Sequence, residues 1–247
     1  FFQKYLDAGL DESEAMYASL LEGMDKSLGD LMDYLKEKQV DNNTVIIFMS
    51  DNGGLSLSPP RSAEAHTQNL PLKAGKGSVY EGGIREPMFV KSPGVTKPGA
   101  IVNQYVTIED FFPSILEMAN VKTKQLVQPI DGKSFVPYLK NPNLTDSTRA
   151  LIWHSPNKWT LNDGPGINYK SAIRQGDWKL IYHMRDTSIE LYNLKNDIQE
   201  EHNLADQYAD KVKELAKILS DKLRNWNTPM PIIKASGQAV PMPDAYQ

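Results

Sequence analysis

An almost wholly apolar, β-branched-rich run, Thr44-Val45-Ile46-Ile47-Phe48-Met49, follows an Asp41-Asn42-Asn43 turn and a long helical pattern. A run this short and this apolar suits a strand buried on both faces. A helix leading straight into such a strand is the grammar of an α/β domain with a parallel sheet. The helical pattern extends from about Asp11 to Lys38, with Leu21, Met24, Leu28, Leu31 and Leu35 alternately three and four apart, the stripe of a core-facing amphipathic helix. Asp11 with Glu14 three residues on reads as a capping box, and Glu22 with Lys26 as an i,i+4 pair.

Beyond the strand, residues 53 to 80 are rich in Gly, Ser, Pro and Asn and show no period, so they read as a long loop of the kind that carries function. A second short strand is expected over Pro87–Lys91, closed by Ser92-Pro93-Gly94. Residues 105 to 119 read as a strand entering a helix, with Pro113 near the helix start. Asn141-Pro142-Asn143 marks a boundary, dividing the chain into residues 1–143, part of an α/β domain, and residues 144–247, a smaller α+β domain. In the latter, Ala150–His154, Ser171–Arg174, Trp178–His183 and Ile189–Asn193 are short strand candidates separated by turns such as Gln175-Gly176-Asp177, which predicts antiparallel hairpins. Tyr208, Val212, Leu215, Leu219, Leu223 and Trp226 trace one face of a closing helix.

Composition narrows the chemistry. The 247 residues carry 27 Lys+Arg against 31 Asp+Glu, a net of −4 with no basic block, which argues against a nucleic-acid partner. The absence of cysteine excludes a thiol nucleophile, disulfides and Cys-based metal sites within these residues. No apolar stretch approaches the roughly 18 residues of a membrane span. The opening Phe1-Phe2-Gln3-Lys4-Tyr5 lacks an initiating Met and the basic and apolar regions of a signal peptide, so the expectation is a chain that begins partway through a longer protein.

Two segments carry candidate chemistry. Ser50-Asp51-Asn52-Gly53-Gly54 sits where the apolar strand ends, the end at which open α/β sheets bind ligands, and its glycines allow close backbone approach. The oxygen donors of Asp51 and Asn52 suit a hard cation, Ca²⁺ or Mg²⁺, rather than zinc or copper. The same five residues also fit a plain chain-reversing turn. The second segment is Gly75-Lys76-Gly77-Ser78-Val79-Tyr80-Glu81-Gly82-Gly83-Ile84-Arg85-Glu86-Pro87. It is not a Walker A loop, because Gly77 follows the lysine where Ser or Thr is needed. Lys76 between two glycines is a cation on a backbone able to approach a phosphate or sulfate oxygen; taken alone it also fits a solvated surface lysine, and Glu81 with Arg85 a surface pair.

Taken together, the helix Met16-Tyr17-Ala18-Ser19-Leu20-Leu21-Glu22-Gly23-Met24-Asp25, the strand ending Ser-Asp-Asn-Gly-Gly and the Gly-Lys-Gly-x-x-Tyr-Glu-Gly-Gly-Ile-Arg-Glu-Pro segment resemble the C-terminal half of a type I sulfatase of the alkaline-phosphatase-like superfamily. The resemblance is strong over about residues 10 to 120. Leu151-Ile152-Trp153-His154, Gly176-Asp177-Trp178-Lys179-Leu180 and Glu190-Leu191-Tyr192-Asn193-Leu194 fit that family's small C-terminal domain. It implies a parallel-rich sheet with flanking helices, hydrolysis of sulfate esters, carbohydrate sulfates among them, and a periplasmic, secreted or lysosome-like setting. It also implies that Asp51 and Asn52 are two ligands of a divalent cation, Ca²⁺ ahead of Mg²⁺, that Lys76 contacts the sulfate, and that Glu81 and Arg85 hold the loop carrying Lys76.

The resemblance also marks what these residues lack. The family nucleophile is a formylglycine made in a Cys/Ser-x-Pro-x-Arg motif of the N-terminal half; Ser58-Pro59-Pro60-Arg61-Ser62 is the near match here, with Arg one position too early. The isolated chain is therefore expected to be inactive, with the N-terminal half of the same protein as its partner. His154, beside Trp153, and His66, in the loop before Lys76, are candidate substrate contacts, with a packing role as the alternative for His154. Two other readings stay open: a phosphodiesterase or phosphonate hydrolase of the same superfamily, and a noncatalytic anion-binding module.

Overall fold

A computed structural model describes residues 1–55, 69–121, 127–161 and 164–245. The chain opens with helices α1 (Phe2–Asp7) and α2 (Glu12–Glu37). Asp11 caps α2, its Oδ1 accepting the Glu14 amide at 2.9 Å, so the turn chemistry read from sequence starts the helix where expected. The expected Glu22–Lys26 pair does not form; Glu22 accepts from Lys4 of α1 at 2.8 Å, and Lys26 pairs with Asp30 one turn on. Nor does the apolar stripe of α2 face a core within this chain. Ala15 is its one buried residue, Leu20 is 72% exposed, and Leu21, Met24 and Leu31 are exposed as well.

Strands β1 (Ile46–Met49) and β2 (Met88–Lys91) form a two-stranded sheet, and α3 (Glu81–Ile84) lies between them in sequence. Their pairing corrects the parallel expectation: it is antiparallel, from Ile46 opposite Lys91 to Met49 opposite Met88. The reason is the connection. Residues 50–87 leave and re-enter at one end of the pair, where the Ser50 amide donates to the Pro87 carbonyl at 3.3 Å, whereas parallel strands need a crossover to the opposite end. Both strands are partly exposed rather than buried on two faces. The mixed α/β character with flanking helices stands.

Residues 105–107 form no strand; a short 3₁₀ turn at Ile108–Asp110 leads into α4 (Phe111–Met118), with Pro113 in its first turn, followed by α5 (Val136–Lys140). Asp110 explains the difference. Its buried carboxylate accepts the amides of Thr107 and Lys133 at 2.9 and 2.8 Å and both terminal nitrogens of Arg149 at 2.7 and 2.6 Å, so local capping takes the backbone group a sheet would need.

The remaining strands, β3 (Ala150–Ser155), β4 (Lys170–Gln175), β5 (Trp178–His183) and β6 (Ile189–Asn193), make the expected antiparallel meander in that order. Gln175 opposes Trp178 across a two-residue turn in which Gly176 takes φ +57°, a left-handed value glycine adopts without a Cβ penalty. Alternation then sorts the side chains. Ile173, Leu180, Tyr182 and Leu191 meet Val212, Leu215, Leu219 and Leu223 of helix α6 (Ala209–Asn225), while Ala172, Ile181 and Tyr192 point the other way and pack with Val79 and Tyr80. Tyr208 and Trp226, at the ends of the helix stripe, remain half-exposed. One sheet face is thus covered by α6 and the other by the glycine-rich segment that carries Lys76.

That second face also carries Glu190. Its carboxylate accepts the Tyr80 and Tyr192 hydroxyls at 2.6 and 2.9 Å, and His183 Nε2 lies 2.9 Å away as an ion-pair partner. Burial works to raise the Glu190 pKa, but these contacts outweigh it and hold the group down at about 2. A carboxyl depressed in the folded state contributes stability above its unfolded pKa and loses it as pH falls towards the folded one. Acidification from about pH 5 to about pH 2 should therefore remove ~2 kcal/mol through this group, discounted for its partial exposure. Denaturant unfolding across that range checks it: Glu190→Gln should flatten the acid limb, and an unchanged pH slope in the variant overturns the assignment.

Candidate functional site

Glycines join the two candidate segments. A Cβ on Gly53 would run into the Gly82 carbonyl, one on Gly82 into the carbonyls of Lys73 and Ala74, and one on Gly83 into those of Gly75 and Ser78. The Ser50–Gly54 turn therefore lies directly on α3 and the loop before it, with no room for side chains between. Hydrogen bonds set the register: the Lys76 amide donates to the Gly54 carbonyl at 3.0 Å, and Asn69 Nδ2 bridges the carbonyls of Gly54 and Ala74 at 2.8 and 3.0 Å. The Lys76 backbone is thereby seated on Gly54, two residues after Asn52.

Asp51 is exposed and Asn52 half-buried. Asn52 Nδ2 donates to the Gly53 carbonyl at 3.1 Å, which leaves its Oδ1 as the atom able to serve a ligand. Lys76 is exposed, and among the described residues no group pairs with its ammonium. Glu86, in the second segment but without a role in the sequence reading, is part of this neighbourhood. Burial, and then the negative charge of Asp51, push its carboxyl up to about 7, and its buried Oε1 has no hydrogen-bond partner. An orphaned carboxylate oxygen within electrostatic reach of Asp51 fits a nearby cation. The donors of Asp51 and Asn52 are a partial shell, since Ca²⁺ takes six to eight oxygens; among the described residues no cluster of three or more His, Asp or Glu completes one.

Glu81 lies in the same segment as Lys76 and faces the sheet. It is fully buried, and its Oε1 and Oε2 take Lys179 Nζ and Arg174 Nη1, each at 2.9 Å. Its amide donates to Glu200 Oε2 at 2.7 Å, and Lys179 Nζ forms a second ion pair with Glu200 Oε1 at 2.8 Å. Arg174 also stacks on Tyr105, 3.6 Å from the ring centroid. Arg85, by contrast, is partly exposed and 3.8 Å from Glu81. The surface i,i+4 pair read from sequence is a buried four-membered charge cluster with Arg85 at its rim. Strand alternation puts Arg174 and Lys179 on the face that meets it, which period-2 counting of β4 and β5 would have found.

Of the two candidate histidines, His154 lies among the described residues. His154 Nε2 lies 3.1 Å from the Pro229 carbonyl and Nδ1 2.7 Å from Ser171 Oγ. A carbonyl can only accept, so Nε2 carries the proton and Nδ1 accepts from the Ser171 hydroxyl. Burial lowers the His154 pKa against the pull of that carbonyl, consistent with a neutral ring. Both nitrogens have partners within the chain, which fits the packing role. His66 and Ser58–Ser62 lie outside the described residues.

Residues 2–121 match the family model described as Sulfatase, and residues 75–228 the one described as N-sulphoglucosamine sulphohydrolase, C-terminal. A sulfatase of Formosa agariphila is 35% identical across 94% of this chain and 43% of its own length. N-acetylgalactosamine-6-sulfatase of Homo sapiens is 33% identical across 53% of this chain and 24% of its own length. Among solved structures, Ps i-CgsB in complex with k-i-k-neocarrahexaose superposes with a TM-score of 0.68 at 27% identity, covering 89% of this chain and 44% of that one. BT4656 in complex with its substrate D-glucosamine-2-N,6-O-disulfate superposes at 0.64 and 24% identity, covering 84% and 39%. The chain spans about two-fifths of the length of the first curated relatives it matches.

Proposed function

The chain belongs to the sulfatase family, with its alkaline-phosphatase-like α/β fold, and from that premise we propose that it forms the cation- and sulfate-binding part of an enzyme that hydrolyses sulfate esters of carbohydrates. The observation that supports the reading is the glycine-packed junction that seats the loop of the exposed Lys76 on the Ser50–Gly54 turn, with the Lys76 amide on the Gly54 carbonyl. A sulfate ester sheds negative charge onto its leaving oxygen as the S–O bond breaks, so positive groups aimed at its oxygens stabilise the transition state more than the ground state. Lys76 supplies one such group from an exposed, backbone-fixed position. Asp51 and Asn52 would hold a divalent cation, Ca²⁺ ahead of Mg²⁺, and bound there it would add a Lewis-acidic charge at the same oxygens.

The nucleophile, a formylglycine, belongs in this reading to the N-terminal portion of the family fold, which these residues do not include. The exposed stripe of α2 and the partly exposed strands β1 and β2 are the surfaces that portion would cover. The carbohydrate preference follows two relatives: N-acetylgalactosamine-6-sulfatase by its name, and Ps i-CgsB by its bound neocarrahexaose.

The test is release of sulfate against phosphate from matched aryl esters, with and without added Ca²⁺, by the parent polypeptide carrying the N-terminal portion and by the 247-residue chain alone. Ca²⁺-dependent sulfate release by the parent and none by the chain alone is the expected result. Turnover by the chain alone would overturn its assignment as a partial site. Phosphate release would move the protein to phosphoryl transfer, and release of neither to anion binding.

A further inference from the structure

The connection between β3 and β4 lies down on the Lys76 loop. The Ser78 hydroxyl donates to the Pro165 carbonyl at 2.9 Å and the Val79 amide to the Gly166 carbonyl at 3.0 Å. Gly166, at φ +67°, presses so closely on Ser78 Oγ and the Tyr80 ring that no side chain fits. Further along the same connection, buried Asn168 locks the backbone at 159–160: its Oδ1 accepts the amides of Trp159 and Thr160 at 2.6 and 3.1 Å, and its Nδ2 donates to the Thr160 carbonyl at 3.1 Å. The indole of Trp159 is thereby laid against Gly77, immediately after Lys76. A Cβ on Gly77, itself at φ +85°, would overlap the six-membered ring.

So held, Trp159 is still 56% exposed, and among the described residues no cation or second ring stacks on it. What sets Trp159 apart from the other exposed apolar side chains is its fixed seat on the glycine that follows Lys76, where an aromatic ring offers a large, rigid contact surface. The indole is fixed at its backbone, open to solvent, and laid on the residue that follows the exposed Lys76. An aromatic face carries negative potential and attracts the polarised C–H bonds on the apolar face of a pyranose, and rigid Trp side chains are favoured binding anchors. We propose that Trp159 is the platform on which the sugar ring of the substrate stacks while its sulfate meets Lys76, making Trp159 a specificity-determining residue. This rests on the sulfatase reading for the sulfate, while the stacking itself is a separate claim.

The experiment measures binding of a sulfated monosaccharide and of inorganic sulfate by calorimetry to the parent polypeptide and to its Trp159→Ala and Trp159→Phe variants, alongside sulfate release. The expected result is a sugar affinity about tenfold or more weaker in Trp159→Ala, largely restored in Trp159→Phe, with inorganic sulfate, which has no ring, bound as before. If sugar and sulfate affinities fall together, Trp159 only shapes the Lys76 loop and the proposal fails; it fails equally if neither changes or if the unaltered protein binds no sugar. If the unaltered protein binds the sugar through Trp159 but releases no sulfate, the functional reading fails and the platform stands.

Discussion

Glu81→Ala is expected to cost about 3–5 kcal/mol of folding stability, the loss seen when one partner of a buried ion pair is removed and the others are left without compensation. Lys179 is 0% exposed and would keep only Glu200; Arg174 would keep the Tyr105 face and a 3.3 Å contact from Nε to the Gly176 carbonyl. A domain is stable by roughly 5–15 kcal/mol in total, so the variant should be largely destabilised at ambient temperature. Arg85→Ala is the matched control. Its guanidinium is partly exposed and 3.8 Å from the same carboxylate, and such pairs contribute under about 1 kcal/mol. Denaturant unfolding of the two variants decides the matter: similar midpoints would mean that the charge cluster does not hold the Lys76 segment to the sheet.

Lys76→Ala is expected to show the opposite profile. The side chain is exposed and unpaired among the described residues, so stability should change by less than about 0.5 kcal/mol. Sulfate release by the parent polypeptide should fall by about 10²–10³ in kcat, the usual consequence of deleting one preorganised stabiliser of transition-state charge. Lys76→Arg keeps the charge but changes its shape from a point to a planar fork and should recover activity in part. Kinetics beside unfolding curves check the pair of expectations. A Lys76→Ala variant with full kcat would remove the lysine from the chemistry, and one that fails to fold would make it a structural residue.

These two residues lie in one glycine-rich segment, and sequence reading treated them unequally. Lys76 stood out as a candidate anion contact because its glycine neighbours are a local property that makes a lysine approachable. Glu81 was legible only as a holder of the loop, because its partners come from 93 to 119 residues away. His154 shows the same limit: its neighbours in sequence suggested a ligand contact, but Ser171 and a carbonyl 75 residues on take both ring nitrogens. Glu86 had no local signal beyond its type; its orphaned oxygen and its proximity to Asp51 exist only in the folded chain.

What the sequence determined by itself was whatever depends on a few adjacent residues. That covers the span and cap of α2, the four strands of the meander with the Gly176 turn, the buried stripe of α6, and the two glycine motifs that identify the family. Hydrogen-bond capping, side-chain period and the steric freedom of glycine act over one to four residues, so they can be read along a line. The tertiary structure alone decided the antiparallel pairing of β1 with β2, the uncovered stripe of α2, the burial of Glu81 between Arg174 and Lys179, and the placing of Trp159 on Gly77. Each depends on which face of one element meets another, and that is settled by packing and charge compensation among residues far apart in the chain.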